Sequence, residues 1–132
     1  MTENQERWLQ ALESGEYEQC QGTLINMSAK GASCYCCLGL GCKILGMTPM
    51  KTDRGFLGFG GSSTYLTLLA IRELGLRSND GQFKTPIFER GNQYDSLEAL
   101  NDNAKWTFKQ IAAYIRSNPE NVFRDSLSES IV

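Results

Sequence analysis

Five cysteines carry most of the chemistry open to this chain, and Cys34, Cys36, Cys37 and Cys42 crowd into nine consecutive positions. Thiolates bind zinc, and Cys20, Cys34, Cys37 and Cys42 would supply four of them. Structural zinc sites usually join two separated Cys-x-x-Cys knuckles, whereas the adjacent Cys36 and Cys37 must point apart and one thiol is left over. Packing as small apolar side chains is the favoured account, so no metal is assigned. The odd count and short spacing also make a poor disulfide framework, which suits a reduced compartment. A redox role for Cys34 and Cys37 would need a lowered thiol pKa, and Lys43 is the only cation close in sequence.

Histidine is absent altogether. That removes Ser-His-Asp and Cys-His nucleophile activation, His-ligated catalytic zinc and imidazole acid–base work near neutrality, so the expectation is a protein that is not an enzyme. Asp53, Glu73, Glu89, Asp95 and Glu98 offer carboxylates, but nothing in the sequence brings two of them to one cleft. A formal net charge of -2 gives no global basic field for nucleic acid or an anionic membrane.

Arg54-Gly55-Phe56-Leu57-Gly58-Phe59-Gly60-Gly61-Ser62-Ser63-Thr64 is the strongest ligand-binding candidate. Glycines let backbone N–H groups approach an anion, a helix starting at Ser62 or Ser63 would hold it, Arg54 adds charge, and Phe56 and Phe59 can stack on a base. Tyr65 and Arg72 flank the same surface. No Gly-Lys-Ser/Thr ends the stretch and no βαβ strand precedes it, so it is neither a Walker loop nor a dinucleotide fingerprint. The competing account is a loop whose glycines serve turns and whose Ser62 only caps a helix.

Three further constellations are weaker. Ile111, Ala112, Ile115 and Val122 have the core spacing of a helix-turn-helix, yet Arg116 sits where glycine is usual and Glu120, Asp125 and Glu129 oppose phosphate. Lys105, Trp106 and Lys109 form a small basic-aromatic cluster. Asn101-Asp102-Asn103 lacks the rest of a calcium loop and reads as a polar turn holding local backbone N–H groups.

The elements that must position these residues follow from capping and periodicity. Thr2 with Gln5 caps a first helix carrying Trp8, Leu9 and Leu12, which Gly15 ends. Cys20–Asn26 and Cys34–Cys36 read as a hairpin across Met27–Ser33, and Cys37–Leu45 as a buried helix. Met47–Gly61 reads as a long loop; Leu66, Leu69, Ala70 and Leu74 share a helical face closed by Gly75. Asn79-Asp80-Gly81 marks a turn of a second hairpin through Phe83–Phe88, Ser96–Leu100 a helical turn, and Thr107 with Gln110 caps a helix through Ile115. Asn118-Pro119 starts one further turn. The expected architecture is a small, mainly helical α+β domain over 1–124 with one or two β-hairpins, packed on Trp8, Leu38, Leu45, Leu69, Leu74, Ile111 and Ile115, and a frayed polar tail over 125–132. No apolar run nears the ~20 residues of a membrane span and the N-terminus lacks a signal-peptide pattern, so the cytoplasm is expected and no membrane partner.

Three stretches together resemble a family of small proteins of bacteriophages and bacterial genomes that has no established common activity. They are Trp8, Ala11-Leu12 and Ser14-Gly15-Glu16-Tyr17 leading to Gly22; Tyr35-Cys36-Cys37-Leu38-Gly39 with Cys42; and Leu100-Asn101-Asp102 followed by Phe108, Ile111-Ala112 and Ile115. The resemblance implies a phage or prophage accessory protein and carries no catalytic residues; Ala104-Lys105-Trp106 stands where the family has a glycine. The expected function is non-enzymatic binding of a host target, by sequestering a nucleotide-like signal or occluding a host protein, without a cofactor. A homo-oligomer is admitted because pairing deepens a pocket in a short chain. The alternatives are a DNA-binding module over Phe108–Leu127 and a zinc- or thiol-dependent protein.

Overall fold

The computed structural model describes residues 1–132. Thr2 accepts the Gln5 amide and Gln5 returns a bond to the Thr2 N–H, so α1 (Glu3–Ser14) begins with a complete capping box and ends on left-handed Gly15. Its apolar stripe of Trp8, Leu9 and Leu12 is fully buried. Three short strands follow, β1 (Glu18–Gln19), β2 (Ile25–Met27) and β3 (Ser33–Tyr35), in the order β1-β3-β2. The β2–β3 pair is the expected antiparallel hairpin, while β1 joins β3 in parallel. Helix α2 (Cys37–Ile44) is buried over Cys37–Cys42. Gly39 is required there, because any Cβ would strike the Leu24 carbonyl.

The stretch read as a long loop contains a small hairpin, β4 (Met50–Lys51) with β5 (Leu57–Gly58). Helix α3 (Leu68–Leu74) is capped by Thr67 and closed by Gly75. Its buried residues are Ala70, Ile71 and Leu74, with Leu66 just ahead of it; Leu69, expected in the core, is 60% exposed. The start of the helix at Leu68, later than expected, turns Leu69 outward.

The second hairpin pairs β6 (Gln82–Glu89) with β7 (Asn92–Ser96). Its turn is Arg90-Gly91, both in the left-handed region, while Gly81 lies at the strand's entrance and not at the tip. Ser96 caps α4 (Leu97–Asp102), and a second complete capping box, Thr107 with Gln110, starts α5 (Phe108–Ser117). Asn118-Pro119 begins the single turn α6 (Pro119–Val122). One apolar core joins all the major elements, centred on Trp8, Leu38, Leu74, Leu100, Ile111 and Ile115, which gives the mixed α+β fold expected. No helix is long and apolar enough to cross a membrane.

Residues Asp125–Val132 carry no helix or strand but are tied to the domain. The buried Arg77 holds the Glu129 carboxylate through Nε and Nη2, and the Val132 N–H donates to the Arg77 carbonyl at 2.6 Å. That bidentate guanidinium lowers the Glu129 carboxyl to about 2, helped by the Asp125 N–H.

A candidate ligand groove

The glycine-rich stretch does not assemble the expected anion site. Phe59 and Ser62 exchange backbone hydrogen bonds across Gly60-Gly61, whose φ values of 61° and 91° make a tight turn. The turn drives Phe59 into the core at 1% exposure, so it cannot stack on a base. Ser62 Oγ accepts the N–H groups of Thr64 and Tyr65, a side-chain turn and not a helix cap. No helix start faces Ser63 either, because α3 begins at Leu68. Arg54 is exposed near the tip of the β4–β5 hairpin, and Arg72 instead lines a surface with Thr2, Gln5 and Glu73. Phe56 and Ser63 do border a hollow of about 360 Å³, together with Thr23, Asn26 and Thr64. Its lining contains no cation, so it offers an anion no charge. Tyr65 lies next to it, in a smaller hollow with Glu98 and Asp102. Burial, followed by the Asp102 and Asp80 carboxylates, raises the Glu98 carboxyl.

The cysteines also part company with the sequence reading. Cys20 and Cys34 form a disulfide, their Cα atoms 5.6 Å apart: the parallel pairing of β1 with β3 sets Glu18 opposite Cys34 and brings Cys20, just past the end of β1, within reach of it. The spacing that argued against a crosslink counted positions along the chain and could not register this neighbour relation. Cys37 donates to the Leu97 carbonyl at 3.6 Å, Cys36 caps α2 by accepting the Gly39 N–H, and Cys42 is buried. Burial pushes the Cys36 and Cys42 thiols up to about 12 and Cys37 well above the usual range. The four candidate zinc ligands are therefore not gathered at one point, and neither Cys34 nor Cys37 is an activated thiol.

The helix-turn-helix spacing likewise serves packing. The second helix, α6, is one turn long, too short to lie along a groove of DNA, and its Val122 is buried. Arg124, the basic residue just beyond it, donates to the carbonyls of Leu76 and Glu129.

What the fold does assemble is a groove of about 610 Å³ where the β6–β7 turn, the α4–α5 connection and α5 meet. Trp106 forms one wall. Its ring meets Tyr114 edge-on at 6.0 Å, and Tyr114 in turn packs on Phe83. The indole N–H is fixed on Glu89 Oε1 at 3.2 Å, which also occupies the only carboxylate in the lining. Arg90 and Lys105 stand at the groove as two exposed cations from separate loops. Both have left-handed backbones, with φ of 51° and 55°, the only such residues apart from glycine. A long side chain in that region costs about 1 kcal/mol or more relative to Asn or Gly, so each cation is held by a conformation that its own type disfavours. Gln110, Ser117 and Asn118 add neutral polar groups, and Ala104 and Ala113 small apolar ones. Lys109, the third member of the basic-aromatic cluster, lies outside the lining.

Gln19 fixes the position of this wall. Its carboxamide donates to the Trp106 carbonyl and to Asn101 Oδ1, both at 2.8 Å, and accepts the Phe108 N–H at 3.1 Å. Sequence reasoning missed Arg90 and Tyr114 and weighed Glu89 only as one of several scattered carboxylates. The only available signal was Arg90-Gly91 after one run of strand-forming residues, and arginine is not a residue that announces a tight turn. The family model for a domain of unknown function (DUF8296) matches residues 1–50, which cover α1, the three-stranded sheet with its disulfide, and α2. No curated protein and no solved structure matches the chain.

Proposed function

We propose that this chain is a non-enzymatic accessory binding protein of phage type, a counter-defence factor that sequesters a nucleotide-like anion of the host in the groove at Trp106. The observation that carries this reading is the pair Arg90 and Lys105, held left-handed beside one aromatic wall. An indole face accepts a base, two cations outweigh one already engaged carboxylate, and the volume falls within the ~300–1,000 Å³ usual for small-molecule sites. Free thiols that are buried and hard to ionise, in a chain without histidine, favour holding over transforming. The phage origin rests on the resemblance of the three motifs, and the cytoplasm follows from it. The exposed pair Leu68 and Leu69 supports a second reading, an apolar contact with a host protein or with another copy.

The test is calorimetry with AMP, ATP and a cyclic dinucleotide, on the natural chain and on the double variant Arg90→Asn, Lys105→Asn. Asparagine suits a left-handed position, so the variant keeps its fold while losing both charges. Loss of two charge-assisted contacts should weaken binding by about ten-fold or more. No binding of any nucleotide at millimolar concentration, or equal affinity in the double variant, removes the proposal. Native mass spectrometry of protein recovered from its host separates a retained small molecule from a bound protein or a homo-oligomer.

A further inference from the structure

We infer that the Cys20–Cys34 disulfide controls the groove through Gln19, so that the wall formed by Trp106 is set by the oxidation state of that pair; as regulation of the groove this rests on the ligand reading above. Strand β1 has only two residues, paired with β3 in parallel, and the crosslink lies immediately after it. Gln19, the residue next to Cys20, spends its entire carboxamide on Asn101, the Trp106 carbonyl and the Phe108 N–H. The Cys20 carbonyl accepts from Asn101 Nδ2 at 3.0 Å, which closes the same network from the other side. A covalent bond therefore anchors the one strand whose side chain positions the groove wall. Cys20 is half-buried and Cys34 buried, so an incoming thiolate meets the Cys20 sulfur.

The step is thiol–disulfide exchange with a dithiol. One thiolate of the dithiol attacks Cys20 Sγ, the Sγ–Sγ bond breaks, and its electron pair leaves on Cys34 Sγ, which takes a proton. The second thiol of the reductant then closes its own disulfide, releasing Cys20 as a thiol; two electrons and two protons pass to the protein in all. With the bond open, β1 is held only by its short ladder and the hydrogen bonds of Gln19 and Asn101, Gln19 samples other positions, and the fraction of chains with the wall in place falls. Affinity falls with that fraction.

The experiment incorporates 5-fluorotryptophan and follows the resonances of Trp106 and the core residue Trp8 by ¹⁹F NMR while dithiothreitol is added to the oxidised full chain. Reduction should shift or broaden the Trp106 signal and leave Trp8 nearly fixed; in Gln19→Ala the Trp106 signal should sit at the altered position with the disulfide intact. ATP affinity measured alongside should fall by about three-fold or more, as the competent fraction drops to about a third. A Trp106 signal unchanged by reduction overturns the inference, as does mass spectrometry showing that mild oxidation does not join Cys20 to Cys34. A Trp106 response without ATP binding in either state supports the coupling and removes the ligand reading alone.

Discussion

Asn101 is where a single substitution should be felt most. Its side chain is fully buried, and its carboxamide makes four hydrogen bonds: Oδ1 accepts the Cys37 N–H at 3.1 Å and Gln19 Nε2 at 2.8 Å, while Nδ2 donates to the Cys20 carbonyl at 3.0 Å and Asp102 Oδ1 at 2.9 Å. In Asn101→Leu the partners are affected unequally. Gln19 keeps the Trp106 carbonyl, Asp102 keeps the Gly22 N–H, and Cys20 is only half-buried. The Cys37 N–H has no such recourse. It is the first amide of α2, fully buried, and its stranding costs about 1–3 kcal/mol. With about 1 kcal/mol more for the weakened remainder, the loss is about 3 kcal/mol, or about 10 °C in Tm for a chain of this size. Urea denaturation monitored by tryptophan fluorescence measures it. Asn101→Asp makes a sharper control, because it keeps the acceptors, loses the donors and places a carboxylate against Asp102. Burial and that neighbour raise its pKa in the folded state, so the folded chain binds more protons than the unfolded one and the deficit must grow as pH rises from about 4. A loss below about 1 kcal/mol in Asn101→Leu, or a deficit in Asn101→Asp that shrinks with rising pH, would refute the reasoning.

The remaining predictions are more local. Iodoacetamide should fail to modify Cys36, Cys37 or Cys42 in the folded protein at pH 8 and should label all three in denaturant, since burial above all raises these thiols; mass spectrometry of peptides counts the adducts. The Glu129 carboxyl is depressed to about 2 by Arg77, so its contribution is complete above the usual carboxylate range and is lost as pH falls through about 2. The protection factor of the Val132 amide, its exchange rate corrected for the intrinsic pH dependence, should fall on acidification, and Glu129→Gln should show that lower protection at pH 7. Arg116 bonds Glu6 and Glu13 together on the surface and lowers both carboxyls. All three side chains are about a third exposed, so Arg116→Ala should lower Tm only slightly, and the difference should disappear in 1 M NaCl, as a pair of melting curves will show.

What could be read in the sequence was what is encoded locally. Thr2 with Gln5 and Thr107 with Gln110 announce α1 and α5 because a capping box satisfies its own backbone groups within four residues. The signals that failed were those whose partners lie far along the chain. Cys20 and Cys34 looked unsuited to each other until β1 and β3 were seen to run in parallel, a pairing for which a two-residue strand leaves no pattern. Gly60-Gly61 looked like an anion cradle, because glycine in a two-residue turn and glycine against a phosphate answer the same steric demand. Leu69 was placed inside because its spacing from Leu66 and Ala70 suits a helix that in fact begins only at Leu68.

The three stretches that carry the resemblance meet in one network, and its character says where function must be sought. Trp8 Nε1 donates to the Cys37 carbonyl at 2.9 Å, the Cys37 N–H to Asn101 Oδ1, and the Gly22 N–H to Asp102 Oδ1 at 3.0 Å. Each motif thus supplies what another lacks: an indole donor, a helix start with an orphan amide, and a carboxamide that answers it. Every buried side-chain nitrogen and oxygen in the chain has a partner, so this network has nothing left over to offer a ligand. A set of motifs spent wholly on holding α1, α2 and α4 together defines an architecture and no chemistry. On the proposed ligand reading, specificity comes from residues outside this set of bonds. Trp106, whose carbonyl Gln19 holds, is such a residue, and the exposed Arg90 and Lys105 stand beside it in the groove.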